Sequence, residues 1–135
     1  MPVNYITIQA IRKFGEFYGN DLMVECPTGS GNKMNLIQVA DEITRRLISL
    51  FKKDEKGKRS FHGDHNWFYQ RPGNEHLLLF YEFFHGDKGH GLGASHQTGW
   101  TSLIAELVRS LGDKKEDLDV LIVPDQAKSV PVPGI

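Results

Sequence analysis

The chain has 135 residues, of which 39% are apolar and 24% charged, with a formal net charge of −1. A length and composition of this order describe one globular domain and exclude a disordered or low-complexity segment. The near-neutral charge gives no electrostatic reason to expect nucleic acid or an anionic membrane as partner, since Arg45, Arg46, Lys52 and Lys53 have acids close by in the sequence.

Taken in chain order, residues 4–18 carry apolar side chains at helical spacing, with Ile8, Ile11, Phe14 or Gly15, and Tyr18 on one stripe. Pro2 near the start and Gly19-Asn20 at the end frame a first helix with one apolar face. No export signal is expected, and no window reaches the roughly 18 apolar residues that a spanning helix needs. Residues 22–26 predict a short extended piece before the Pro27-Thr28-Gly29-Ser30-Gly31 loop, because a proline disfavours helix in the residue before it. Cys26, the single cysteine, has no intramolecular disulfide partner, which favours a reducing, cytoplasmic compartment.

Asn35 and Gln38 have the spacing of a capping box, and Leu36, Val39, Ala40, Ile43, Leu47, Leu50 and Phe51 follow at helical spacing. Residues 52–59, nearly all charged around Gly57, predict a solvated turn that holds no ligand. From residue 61 to residue 84 the helical period is lost and the pattern turns aromatic, so short strands or an irregular insertion are expected, with residues 77–84 open to either strand or helix. A last helix is expected from near Thr98, with Trp100, Leu103, Ile104, Leu107, Val108 and Leu111 inward and Gly112 at its end. Pro131 and Pro133 make the 113–135 tail extended or flexible.

The chemistry concentrates in residues 81–100, Y-E-F-F-H-G-D-K-G-H-G-L-G-A-S-H-Q-T-G-W. A carboxylate, Glu82, stands among aromatics ahead of four glycines between Gly86 and Gly93, and Asp87, His90, Ser95, His96 and Gln97 offer hydrogen bonds. Such a wall suits a polyhydroxylated ligand such as a sugar. The residues alone leave Glu82 open between a salt-bridged structural group and a base, His96 and Ser95 between sugar and backbone partners, and Trp100 between core and sugar platform. Trp67 and Tyr69 are further stacking candidates. The six histidines fit no zinc signature and Gly89-x-Gly91-x-Gly93 lacks the register of a dinucleotide fingerprint, so neither metal nor cofactor is expected.

Pro2-Val3-Asn4, Val24-Glu25-Cys26-Pro27-Thr28-Gly29-Ser30-Gly31, Phe80-Tyr81-Glu82 and Ala94-Ser95-His96-Gln97-Thr98-Gly99-Trp100 together resemble the C-terminal part of glycoside hydrolase family 63. These are α-glucosidases that trim glucose from mannosyl-oligosaccharides, and the bacterial relatives are the most similar. The resemblance implies a mainly α fold in which 1–112 is the C-terminal fragment of an (α/α)6 toroid, with short strands or loops between helices, and 113–135 a tail. It implies inverting hydrolysis of α-linked glucosides with Glu82 as general base, Gln97 beside the catalytic water, and Asn4, His96 and Trp100 as further substrate-binding residues. Inversion needs a second carboxyl roughly 6.5–9.5 Å away as general acid, and the family supplies it from an earlier segment that this chain lacks. The chain is therefore expected to be inactive alone, its partners being an oligosaccharide or small glucoside and the missing N-terminal part of the domain. The alternative is a non-catalytic remnant serving as a sugar-binding or protein-interaction module.

Overall fold

The computed structural model describes residues 1–96 and 98–112; the tail expected over 113–135 lies outside them. The fold is mainly α, with about half of the described residues helical and two short antiparallel hairpins. Helix α1, Pro2–Tyr18, starts two residues before the predicted position because Pro2 occupies the first turn, where its missing N–H costs no hydrogen bond. It ends at Gly19, whose φ of 54° favours glycine.

Strand β1, Met23–Glu25, pairs with β2, Lys33–Asn35, in the register Met23↔Asn35. The extended piece was expected and its partner was not. Asn35 then opens α2, Leu36–Ser49, through the predicted capping box: the Gln38 N–H donates to Asn35 Oδ1 at 2.9 Å and the Asn35 N–H to Gln38 Oε1 at 3.0 Å. Helices α1 and α2 approach so closely at Gly15 that a Cβ there would come within 2.9 Å of Ile37. Beside this contact, Arg12 pairs with the buried Asp41 at 3.1 Å.

The 61–84 stretch takes the irregular form that was expected as the alternative to short strands, with strand confined to its last two residues. Ser60–His65 is a 3-10 turn and Asn66–Tyr69 a one-turn helix, α3. The tight turns gather Phe61, His62 and Tyr69 on one side, with Phe61 5.5 Å from Tyr69 and 5.2 Å from Phe51 between ring centroids. Burying these rings stabilises the segment without a ladder partner. Strand β3 is confined to Phe83–Phe84, paired with β4, Gly91–Leu92.

The single last helix is corrected, to α4, Thr98–Thr101, and α5, Leu103–Gly112, broken at Ser102. Ile104, Leu107, Val108 and Leu111 of α5 are buried with Ile8, Ala40 and Ile48 as predicted, whereas Trp100 is 46% exposed and not part of the inner face. Among the described residues no helix is long and apolar enough to cross a membrane.

Helix α1 has a second apolar stripe beyond the single face expected, and it includes Phe14, which the sequence offered for the first. Val3, Ile6, Phe14 and Phe17 follow one another at helical spacing and are exposed, Phe17 by 80% and Phe14 by 58%. An exposed run of this kind exceeds the scattered apolar residues of an ordinary surface. The purified chain is therefore expected to bind a hydrophobic dye and to self-associate, and Phe14→Lys/Phe17→Glu to reduce both without lowering Tm. Sedimentation as a compact monomer that takes up no dye would contradict this.

Candidate active site

Tyr81 and Glu82 enter β3 from a buried base. The Tyr81 ring is buried, its hydroxyl lies 3.0 Å from the Tyr69 hydroxyl, and its carbonyl accepts a hydrogen bond from buried Thr101 Oγ1. The neutral His62 ring stacks on Tyr69 with centroids 3.9 Å apart. Burial, followed by the hydrogen bond to Tyr81, pushes the Tyr69 phenol far above its ordinary value. Burial likewise lowers the pKa of His62, with nearby Arg59 and Lys53 adding to the effect and Asn66 opposing it. The floor beneath Tyr81 is thus uncharged near neutral pH.

Glu82 is held through backbone and side chain together. Its N–H donates to the Ala94 carbonyl at 3.0 Å, its Oε2 accepts the Ala94 N–H at 3.2 Å, and its carbonyl accepts the Trp100 indole N–H at 2.9 Å. The carboxylate lies across Gly93, where a Cβ would stand 2.4 Å from Oε2, and φ is +74°. Gly91 does the same service for Tyr81, whose ring atoms would be 2.3 Å from a Cβ. Both glycines are required by close approach, and Gly93 by its positive φ as well. Among the described residues Glu82 Oε1 has no protein hydrogen-bond partner.

Gly93, Tyr81 and Ser95 line a groove of about 310 Å³ together with His65, Trp67, Phe68 and Leu79; Glu82 is not itself among its lining residues and approaches it through Gly93. Trp67 is exposed on its rim, with the Arg71 guanidinium 4.7 Å from its ring centre. Of the sequence candidates, Trp100 is brought to Glu82, as an anchor for its carbonyl. His96 is exposed two residues after Ala94, and Gln97 lies outside the described residues. Asn4 lines a different groove, also about 310 Å³, with Arg46, Leu50, Phe84 and His85, and the two grooves share no residue.

The histidine loop is built inward. His85 Nδ1 accepts the N–H groups of Asp87 at 3.2 Å and Lys88 at 3.3 Å, and its ring lies 4.9 Å from that of His90. Among the described residues no group of three or more metal-ligating side chains converges. The Tyr69–Tyr81 hydroxyl pair, buried His62 and the Thr101 bond escaped the sequence reading, their one signal being the clustered aromatics between Phe61 and Tyr81.

Over 113 residues, 82% of its length, the chain is 45% identical to an uncharacterized protein of Saccharomyces cerevisiae, and the match covers 10% of that protein. The chain thus spans about a tenth of the length of the curated relative it matches. It matches no family model and no solved structure.

Two measurements check the geometry. Gly93→Ala, which meets both the positive φ and the Glu82 carboxylate, is expected to cost about 3 kcal/mol in denaturant unfolding. Gly73→Ala, with φ of +89° and open space around it, should cost about 1 kcal/mol. Equal costs would mean that Glu82 does not lie over Gly93. For His62, the depressed folded pKa means that the unfolded state binds its proton first, so stability is complete above an unfolded pKa of about 6.5 and falls as pH drops below it. His62→Gln should flatten that part of the stability profile between about pH 7 and pH 5, and an unchanged profile would contradict a buried neutral imidazole.

Proposed function

We propose that this chain is the general-base segment of an inverting α-glucosidase of the family 63 type, acting on an α-linked glucoside or oligosaccharide. The setting of Glu82 carries the reading: one carboxylate oxygen is fixed by the Ala94 N–H while the other has no protein partner among the described residues, and the carboxylate lies over Gly93, which lines a groove with an aromatic rim and a serine. A base that activates water needs this combination of a fixed position and an available oxygen. In the proposed reaction Glu82 takes the proton of the attacking water as the oxygen attacks the anomeric carbon. A general acid on another part of a longer chain protonates the leaving oxygen.

Gln97 and His96, following Ala94 in sequence, would meet sugar hydroxyls, and the Trp100 indole positions Glu82 through its carbonyl. Asn4, on the neighbouring groove, would act as a more distant binding residue. The packing of α1, α2 and α5 is compatible with a piece of an (α/α)6 toroid. Two facts support a larger whole: the uncovered stripe on α1, and the match to about a tenth of a much longer relative. The lone Cys26 fits a cytoplasmic setting. The same α1 stripe favours the second reading, a protein-interaction module.

The purified chain is expected to show no α-glucosidase turnover, since it holds one carboxylate of the required pair. In a longer chain that contains this segment, Glu82→Gln should lower kcat about 10²–10⁴-fold with KM nearly unchanged, because the amide keeps the shape but cannot take the proton. Gln97→Ala should raise KM as well. Near-normal turnover of a folded Glu82→Gln enzyme would overturn the assignment and direct attention to Asp87 and Asp64.

A further inference from the structure

Of the three consecutive aromatics of α3, Tyr69 is buried and Phe68 half-buried, whereas Trp67 is 55% exposed. Leaving the largest apolar side chain of the segment in water forgoes the burial that its neighbours gain. The indole is nevertheless braced by two neighbours. The Arg71 guanidinium lies over it, 4.7 Å from the ring centre, and Phe68 meets it edge-on with centroids 6.2 Å apart and planes at 86°. An exposed aromatic plane of fixed orientation therefore stands on the rim of the groove that Tyr81, Gly93 and Ser95 also line.

The hydroxyls of Tyr69 and Tyr81 give a second, independent observation. Their oxygens are 3.0 Å apart and share one hydrogen bond, so one of the two protons is left over. Tyr69 is 3% exposed and does not line the groove, and among the described residues its hydroxyl bonds no group but Tyr81. Were Tyr81 the donor, the Tyr69 proton would be buried without an acceptor, which is the costlier arrangement. Tyr69 is therefore the donor. The spare proton belongs to Tyr81, the member of the pair that lines the groove, and the Ser95 hydroxyl is part of the same lining.

We propose that this groove is a subsite for a single pyranose ring, with Trp67 as its stacking platform and the Tyr81 and Ser95 hydroxyls as partners of the ring's hydroxyls. A pyranose carries C–H groups on its faces and hydroxyls around its edge, which matches an aromatic plane set beside a few placed polar groups. A volume of about 310 Å³ stands at the small end of ligand pockets, which span about 300–1,000 Å³, and gives room for one ring rather than several. Glu82 does not line the groove, so a ring held here is not the one attacked by a water that Glu82 activates. It is the neighbouring ring, which makes the substrate a glycoside of at least two rings. That assignment to a neighbouring ring rests on the general-base reading, whereas ring binding itself does not.

The test is a titration of the full 135-residue chain with methyl α-glucoside, read by NMR through the Trp67 indole N–H and the backbone amides, with glycerol at equal concentration as the control polyol. Saturable shifts of the Trp67 indole and of the Gly93 and Ser95 amides are expected, without a comparable response to glycerol. Trp67→Ala, at an exposed position, should weaken binding about tenfold or more, and Trp67→Phe should recover part of the loss. Tyr81→Phe should weaken binding about threefold or more, whereas Tyr69→Phe, which leaves the Tyr81 hydroxyl in place, should keep it. Shifts that do not saturate, that glycerol reproduces or that persist unchanged in Trp67→Ala would overturn the proposal, as would a folded Tyr81→Phe chain that binds as tightly as the parent. Turnover is not read in this titration, so its failure leaves the general-base assignment to its own kinetic test, and a normal rate in Glu82→Gln would leave ring binding in place.

Discussion

The pairing of Glu82 with Ala94 across Gly93 is the constraint on which the rest of the candidate site depends. Main chain bonds main chain, and the carboxylate bonds the same residue's N–H, so turning the side chain away forfeits the Ala94 N–H bond. Only glycine fits under it, because a Cβ at Gly93 would occupy the place of Oε2. Thr101 and Trp100 then tie the carbonyls of Tyr81 and Glu82 to α4, immediately before the break at Ser102.

This hairpin rests on an aromatic cluster, and the aromatic cluster rests on helices. Phe51, at the end of α2, lies within 6.0 Å of Phe61, Phe80 and Phe84 between ring centroids, joining the aliphatic helix interface to the rings under Tyr81. The hydroxyl pair of Tyr69 and Tyr81 and the stacked His62 satisfy the polar edges of those rings internally. A buried polar network that is satisfied in this way specifies one arrangement, and that fixes where the Glu82 backbone begins. On the opposite side, the outer stripe of α1 has no equivalent cover among the described residues.

What the sequence made legible was local. The Asn35–Gln38 capping box and the apolar periods of α1, α2 and α5 are set by residues three and four apart, and those helices stand where the pattern puts them. What it did not reveal depends on partners distant in sequence. Strand β2 is three residues long and exists because β1 lies beside it. The 61–69 turns are set by the burial of Phe61 and Tyr69. Glu82 stood out as a carboxylate before a glycine-rich loop, but its register opposite Gly93 depends on hairpin pairing that no spacing displays. The 52–59 turn is solvent-exposed as its charges imply, but charge counts do not show that Asp54 Oδ1 accepts two backbone N–H groups within it.

The most direct measurement of the role of Glu82 is chemical rescue. In a longer enzyme that contains this segment, Glu82→Ala removes the carboxylate and leaves its place beside Gly93 vacant for a small anion. Azide should then restore part of the lost turnover of an α-glucoside and yield the glycosyl azide whose anomeric configuration is opposite to that of the substrate. A folded Glu82→Ala enzyme that keeps its turnover without azide, or that azide leaves inactive, would contradict a general base at this position.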